Sequence, residues 1–177
     1  MSISIRLAKP SEAITTTKIR FESWLSAYDH IFGKPAIIKN FEEKLSSVKY
    51  KKNTKQLILN KQMWVVCENG TPVGMMVVDK FTKNAKMLEV HALYVMPTHQ
   101  RLGIGKILMN KAIEIAKQRN ISVLNWFALK DNVVGNSFYQ KIGGKIVSSK
   151  TNTLCGKTVE LVEYNLSVLE ALWKNYF

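Results

Sequence analysis

The segment from Met87 to Asn120 constrains the fold most, because it predicts a strand, a tight turn and a helix in direct succession. Residues 88–95 are rich in β-branched and aromatic side chains, and Pro97 ends this strand. Apolar side chains then recur at helical spacing, at Ile104, Ile107, Leu108, Ala112, Ile115 and Ala116. Another apolar strand follows at residues 121–129. A strand, helix and strand in this order, preceded by a hairpin, predict a mixed sheet.

The turn between this strand and this helix has the composition of an anion site. Gly103 and Gly105 stand where the helix begins, and Arg101 and Lys106 lie beside them. The first turn of a helix offers unpaired N–H groups and the positive end of the helix dipole, and glycine lets an anion approach the main chain. We therefore expect a phosphate group to bind here.

Two common phosphate motifs do not describe this turn. A Walker loop would need glycine at Gln100 and Ser or Thr at Ile107. A dinucleotide fingerprint that ends at Gly105 would need glycine at Gln100 and Leu102. The segment Gln100 to Gly105 instead matches Q/R-x-x-G-x-G/A. In this it resembles the GNAT superfamily of N-acetyltransferases, in which the loop holds the pyrophosphate of acyl-CoA.

Two further segments carry the resemblance. Leu93-Tyr94-Val95-Met96-Pro97 is similar to the end of the family's fourth strand, and the later run Asn-Val-Val-Gly-Asn-Ser-Phe-Tyr-Gln-Lys-Ile-Gly-Gly resembles N-x-x-A-x-x-F-Y-x-K-x-G-F. Asn132 begins this run and is expected to cap a helix. The run departs from the family pattern twice, since Gly135 replaces alanine and Gly144 replaces an aromatic residue. We expect Gly135 still to permit a close approach to CoA.

The resemblance implies an α+β fold with a central, mostly antiparallel, twisted sheet of about seven strands flanked by helices. It also implies that the fourth and fifth strands splay apart, so that pantetheine binds between them like an extra strand. It also implies acetyl-CoA as cosubstrate, and no metal is expected. The implied cofactor-binding residues are Leu93, Tyr94 and Val95 for pantetheine, Gln100, Arg101, Leu102, Gly103, Ile104, Gly105 and Lys106 for pyrophosphate, together with Asn132 and Tyr139.

Acetyl transfer to an amine needs an uncharged nitrogen and a proton for the departing thiolate. By resemblance, Tyr139 is the general acid, and a tyrosine's reference pKa near 10 suits that donation. Period-two geometry puts Glu89 and His91 on one strand face, and His91 matches the position where several family members carry a glutamate. Histidine can take a proton near neutral pH, so His91, Glu89 or a water molecule is the expected base.

The acceptor site is the less constrained half of the prediction. Trp24 and Tyr28 lie in a segment that resembles the family's first helix, where the acceptor is often enclosed. Aromatic side chains at helical spacing are more often core residues, and we favour that role. The acceptor class is a small-molecule or peptide amine. The alternative is a non-catalytic acyl-CoA-binding or nucleic-acid-binding module on the same fold.

The bulk properties set outer limits. A chain of 177 residues with 46% hydrophobic side chains predicts one domain over residues 1–177, soluble and cytoplasmic, without a membrane span. The net charge of +13 attracts a polyanion such as CoA, but it also suits nucleic acid or a lysine-rich surface. The two cysteines have no metal or redox spacing. The apolar C-terminal tail is a candidate homodimer contact, but we favour docking of this tail onto its own sheet.

Three local expectations complete the sequence-based prediction. Ser11 is expected to cap a first helix whose inner face includes Ile14. The lysine-rich residues 49–55 are expected to form a solvated linker, with a nucleic-acid contact as the alternative. A hairpin is expected at Asn69-Gly70, lengthened by the two residues that follow, with its second strand reaching Phe81.

Overall fold

The computed structural model describes residues 2–80 and 86–173, and Phe81 lies outside this part of the chain. The strands are β1 (Ile3–Leu7), β2 (Met63–Glu68), β3 (Thr71–Lys80), β4 (Met87–Val95), β5 (Val123–Leu129), β6 (Lys145–Leu154) and β7 (Lys157–Ser167). The helices are α1 (Ala13–Phe32), α2 (Lys34–Ser46), α3 (Val48–Leu59), α4 (Ile104–Gln118), α5 (Val133–Lys141) and α6 (Val168–Trp173).

The seven strands form one sheet in the order β1-β2-β3-β4-β5-β7-β6. The pairs β1–β2, β2–β3, β5–β7 and β6–β7 are antiparallel, and β4–β5 is parallel. Helix α4 connects the parallel pair, as a parallel connection requires. The predicted mixed sheet of mostly antiparallel strands flanked by helices is therefore confirmed.

The chain divides into two compact units, of which the first comprises residues 1–77 and 92–108. Its core is a cluster of buried apolar residues from α1, α3, β2 and β3 and from the residue that follows β1, among them Ile19, Ile58, Val65, Met75 and Val77. Half-buried side chains at the end of β4 pack against this cluster. The second unit comprises residues 78–91 and 109–177. Its largest fully buried side chains are Trp126 and Tyr164, which stack at 5.5 Å between ring centroids.

The prediction of a linker at residues 49–55 is wrong, because this segment belongs to α3. Ser47 accepts a hydrogen bond from the N–H of Tyr50 at 3.2 Å and so caps the helix. Thr54 and Ile58 are buried one turn apart, while the lysines between and before them are exposed. The buried side chains recur at helical spacing, a signal that the lysine content obscures.

The expected start of α1 is also wrong. Ser11 lies inside a short 3-10 turn, and the N–H that precedes this turn, that of Lys9, is satisfied by Glu12 at 2.8 Å. Arg6 donates to both carboxylate oxygens of Glu12, at 2.6 and 2.9 Å, which holds the turn against β1. Ile14 is 79% exposed and does not belong to the buried face of α1.

The β2–β3 hairpin is present but tighter than predicted. Asn69 and Gly70 have positive φ angles of 48° and 85°, and Thr71 already pairs with Glu68. The turn therefore has two residues, and the sheet register continues from Thr71. Positive φ at both central positions is the geometry that Asn-Gly turns favour.

Candidate active site

The predicted phosphate turn has the backbone of an anion site. After β4, residues 97–99 form a 3-10 turn, and Arg101 and Gly103 then adopt positive φ angles of 66° and 82°. Helix α4 begins at Ile104. A Cβ atom built on Gly103 would have no heavy atom within 4 Å, so the space beside this backbone is open. Residues in the left-handed conformation before a helix direct their main-chain N–H groups toward a common point, and an anion can bind at such a point.

Side chains of the first unit fix this turn to the end of β4. The carbonyl oxygen of Val95 accepts hydrogen bonds from the Ser23 hydroxyl at 2.8 Å and from the Gln100 amide at 3.3 Å. His99 lies 3.3 Å from a carboxylate oxygen of Glu68 on β2. These contacts hold the turn without using the backbone around Gly103.

Gly74 on β3 brings the first turn of α4 close to the strand. A Cβ atom at this position would lie 2.8 Å from the Cγ2 atom of Ile104 and 3.5 Å from a methyl carbon of Leu108. Only glycine leaves room for this approach, so β3 contributes to the position of the helix start. The sequence analysis offered no signal for this role of Gly74.

The β4–β5 ladder covers only the beginning of both strands. Met87, Leu88 and Glu89 pair with Val123, Leu124 and Asn125, and both strands continue beyond these pairs. A parallel ladder of three pairs between strands of nine and seven residues is short. It is compatible with the predicted separation of these strands. Pantetheine binding along Leu93, Tyr94 and Val95 stays a prediction.

The two candidate bases lie together on β4. Nδ1 of His91 is 3.2 Å from a carboxylate oxygen of Glu89, and their side chains are 44% and 19% exposed. A carboxylate at this distance can orient the imidazole and stabilise its protonated form. The His91 side chain is therefore the more exposed of the two, and the role of either residue as the base stays a prediction.

Tyr139 lies on α5 in an aromatic cluster. Its ring centroid is 5.1 Å from that of Trp126 and 5.6 Å from that of Tyr164. The Asn132 side chain accepts a hydrogen bond from the N–H of Gly135 at 3.0 Å, which confirms the predicted cap of α5. This helix start fixes the position of Tyr139 along the sheet.

At Gly135 and Gly144, the two positions that depart from the family motif, neighbouring groups occupy the space that a side chain would need. A Cβ atom on Gly135 would lie 2.4 Å from the Asn132 amide nitrogen, so the cap, rather than open space, occupies this position. A Cβ atom on Gly144 would lie 2.8 Å from the carbonyl oxygen of Tyr139 and 2.9 Å from the Trp126 ring. Trp126 thus takes the volume that an aromatic residue at position 144 would need.

Trp24 is a buried core residue, as favoured from its spacing. It is 6% exposed, stacks on Phe32 and donates a hydrogen bond from Nε1 to the Tyr94 hydroxyl at 3.1 Å. Tyr28 is half-buried and packs edge-on against Trp24 at 5.0 Å. An acceptor contact for Tyr28 or Trp24 stays a prediction.

Sequence reasoning missed Arg20, which faces the rings of Trp24 and Tyr94. Its guanidinium carbon lies 5.6 Å from the Tyr94 ring centroid and 5.9 Å from that of Trp24. Burial lowers the pKa of Arg20, but attraction to Tyr94 and Tyr50 and hydrogen bonds with them raise the pKa above its usual value. The sequence did offer a signal for Arg20, which lies one turn before Trp24 on a helix face that is otherwise buried.

Within residues 2–80 and 86–173, no group of three or more His, Cys, Asp or Glu side chains is arranged to hold a metal ion. In the same described ranges, no helix combines the length and the apolar character needed to cross a membrane. Cys67 is buried in the first core and Cys155 lies in the β6–β7 turn, and the two do not form a disulfide with each other.

Comparison with known proteins identifies the family. The model of the acetyltransferase (GNAT) family matches residues 21–144. A spermidine N(1)-acetyltransferase of Thermoplasma acidophilum is 28% identical over 148 residues, which cover 82% of this chain and 90% of that protein. An uncharacterised N-acetyltransferase of Methanocaldococcus jannaschii is 35% identical over 83 residues, which cover 44% of this chain and 37% of that protein.

A solved structure agrees with these relatives. The PaiA N-acetyltransferase of Thermoplasma acidophilum in complex with coenzyme A superposes with a TM-score of 0.76 at 25% identity, over 92% of this chain and 98% of that one. The family match covers more than half of the chain and includes the glycine turn, the start of α4 and the α5 segment. The chain therefore belongs to the GNAT family of acetyltransferases.

Proposed function

We propose that this protein transfers the acetyl group of acetyl-CoA directly to a primary amine, without an acyl-enzyme. The observation that carries the proposal is the turn at residues 100–106, where two positive-φ residues and open space precede a helix N-terminus. A GNAT neighbour that contains coenzyme A supports this ligand. The relative named as a spermidine acetyltransferase supports an amine as the acceptor.

Two segments of the chain bind acetyl-CoA, one at its pyrophosphate and the other at its pantetheine amides. Main-chain N–H groups from Gln100 to Lys106 hold the pyrophosphate, with the side chains of Arg101 and Lys106 adding positive charge. The main chain of Leu93 to Val95 pairs with the pantetheine amides. The N–H of Val95 donates to the thioester oxygen as negative charge develops there.

His91 and Glu89 deliver an uncharged nucleophile. A primary amine is mostly protonated near neutral pH, so it must lose a proton before it attacks the carbonyl carbon. The imidazole of His91 takes this proton directly or through water, and the adjacent Glu89 carboxylate stabilises the resulting imidazolium at 3.2 Å. The nitrogen–carbon bond then forms and the carbon–sulfur bond breaks. The new amide nitrogen releases its second proton to solvent, and solvent returns to Tyr139 the proton that this residue gives to the thiolate.

Tyr139 supplies the proton that the departing thiolate takes up. Phenol and thiol have similar reference pKa values, so the transfer needs little driving force. The packing of the Tyr139 ring against Trp126 and Tyr164 limits its rotation. A fixed hydroxyl donor is what general acid catalysis requires.

The function is tested by thiol release from acetyl-CoA across amines, amino acids, polyamines and peptides, followed by Tyr139→Phe. We expect the variant to lower kcat by about 10²- to 10⁴-fold with little change in the Kd of acetyl-CoA. Tyr164→Phe is the matched control, because it removes a hydroxyl from the same aromatic cluster, one that bonds Asn136 at 3.1 Å. Equal turnover of Tyr139→Phe and wild type would remove the acid role.

Two other outcomes separate the alternative functions. Tight binding of acetyl-CoA with no turnover of any acceptor would favour a non-catalytic acyl-CoA-binding module. Steeply salt-dependent RNA binding would favour a nucleic-acid-binding module, because counterion release makes such binding fall with salt. A covalently acetylated protein that is competent for transfer would overturn direct attack.

A further inference from the structure

Two consecutive residues of α1 are hydrogen-bonded to the end of β4. The Ser23 hydroxyl donates to the main-chain oxygen of Val95 at 2.8 Å, and Nε1 of Trp24 donates to the Tyr94 hydroxyl at 3.1 Å. Ser23 is 5% exposed, and its partner lies 72 residues away in the sequence. These bonds attach α1 to the strand segment that is proposed to bind pantetheine.

The hydroxyl of Ser23 differs from two other buried hydroxyls of the same helix. Those of Thr16 and Thr17 donate to the main-chain oxygen of Ala13, at 3.0 and 2.9 Å, and so remain within α1. Such local bonds are common for serine and threonine in a helix. Ser23 instead bonds to a carbonyl of another element, so the loss of its hydroxyl would affect the strand rather than the helix.

The peptide group between Val95 and Met96 is held at both of its polar ends. Its carbonyl oxygen accepts hydrogen bonds from Ser23 at 2.8 Å and from the Gln100 amide at 3.3 Å. Its N–H, which belongs to Met96, donates to the main-chain oxygen of Val73 on β3 at 2.8 Å. A peptide group is planar, so bonds at its C=O and at its N–H together fix its orientation.

This orientation determines the direction of the Val95 N–H. In an extended strand the main-chain groups of successive residues point to opposite edges. Because Met96 bonds to β3, Val95 directs its N–H and C=O to the other edge of β4, where β5 is the neighbouring strand. The ladder with β5 ends at Glu89. The Val95 N–H therefore lies beyond the last ladder pair, where the thioester is proposed to bind.

We propose that Ser23 is a positioning residue for acetyl transfer, because its hydroxyl directs the Val95 N–H toward the thioester oxygen. The inference rests on the proposed transfer from acetyl-CoA and on the donor role of Val95 in it. Ser23 acts through Val95 and needs no contact with either substrate. Its bond to the Val95 carbonyl limits rotation about this residue, so the N–H is already in place when negative charge develops on the oxygen.

Ser23→Ala tests this role by removing the hydroxyl, which leaves the Val95 carbonyl with the longer bond from Gln100. With the amine that gives the fastest thiol release, we expect kcat to fall about 10- to 100-fold, the effect of a misplaced catalytic group. The KM of the amine and the Kd of acetyl-CoA should change little, because the bond strengthens only in the transition state. An unchanged kcat, or a raised KM at unchanged kcat, would overturn the proposal.

Thr17→Val is the matched control, because it also removes a buried hydroxyl from α1, one that bonds within the helix. It should keep the wild-type kcat, and an equal fall of kcat in both variants would refute the positioning role. Thermal melts show whether the variants fold. Ser23→Cys, whose thiol is a weak donor, should lose kcat as Ser23→Ala does and replaces it if alanine prevents folding.

Infrared spectroscopy reports on the Val95 hydrogen bond without an acceptor amine. The acetyl carbonyl of isotope-labelled acetyl-CoA should absorb at a lower frequency when bound to wild type than when free, because a hydrogen bond weakens the C=O bond. Ser23→Ala should return the band toward its free frequency, and Thr17→Val should not. A wild-type band at the free frequency, or the same band in wild type and Ser23→Ala, would contradict the proposal.

Failure of this inference is distinguishable from failure of the proposed function. Thiol release by wild type together with a wild-type kcat in Ser23→Ala would refute the role of Ser23 but leave acetyl transfer intact. An absence of thiol release with every amine would refute the proposed function itself.

Discussion

Replacing Gly103 with alanine separates the conformational role of this residue from its role in binding. At a φ of 82°, a side chain is strained, and we expect the variant to lose about 1–2 kcal/mol of unfolding free energy. No atom lies within 4 Å of the new Cβ, so no steric term is added. For a chain of this size, such a loss lowers Tm by about 2–8 °C.

The effect on cosubstrate binding is separate from this strain and should be at least as large. The added methyl group occupies the open space beside the N–H groups at the start of α4, where the pyrophosphate is proposed to lie. Displacing the anion from one such charged hydrogen bond costs about 1.5–3 kcal/mol. We therefore expect the Kd of acetyl-CoA to rise about 10- to 100-fold, measured by calorimetric titration and checked by its KM.

Gly156→Ala provides the matched control. Gly156 lies in the β6–β7 turn with a φ of 77°, and a Cβ there also has no atom within 4 Å. The two substitutions should cost the same stability, while only Gly103→Ala should weaken binding. Wild-type affinity in Gly103→Ala, or an equal loss in Gly156→Ala, would refute the assignment of this turn to pyrophosphate.

Two further predictions concern packing and pH. Gly144→Ala should lower the unfolding free energy by about 1–3 kcal/mol, because its Cβ would lie less than 3.0 Å from the Tyr139 carbonyl and the Trp126 ring. Chemical denaturation should show a smaller loss when the same substitution is made in a Trp126→Leu background. An equal loss in both backgrounds would refute the steric explanation. The hydrogen bond from Arg6 holds the pKa of Glu12 below its usual value, so its stabilisation is complete above the unfolded pKa near 4.5 and is lost as pH falls through the folded value. Urea denaturation from pH 6 to pH 3 should therefore show a smaller fall in stability for Glu12→Gln than for wild type, and identical pH profiles would contradict the prediction.

Local backbone preferences explain what the sequence could predict. The Asn69-Gly70 hairpin, the Asn132 cap and the glycine turn before α4 all depend on residues a few positions apart. Their φ angles and hydrogen bonds follow from side-chain type, so a motif read in sequence transfers directly to geometry. The predictions at Ser11 and in α3 were wrong where interactions beyond local composition decided the structure. At Ser11 this was the hydrogen bond between Arg6 of β1 and Glu12, and in α3 it was the buried face of the helix.

The sequence by itself determined the family, most of the strands and helices in their order, and the glycine turn that precedes α4. Only the tertiary structure decided which side chains pack against or hydrogen-bond to one another across the sheet. Trp126 occupies the room left at Gly144, and Asn125 meets Glu163, which is 38 residues away. Such contacts depend on strand order and register, which bring distant positions to one face.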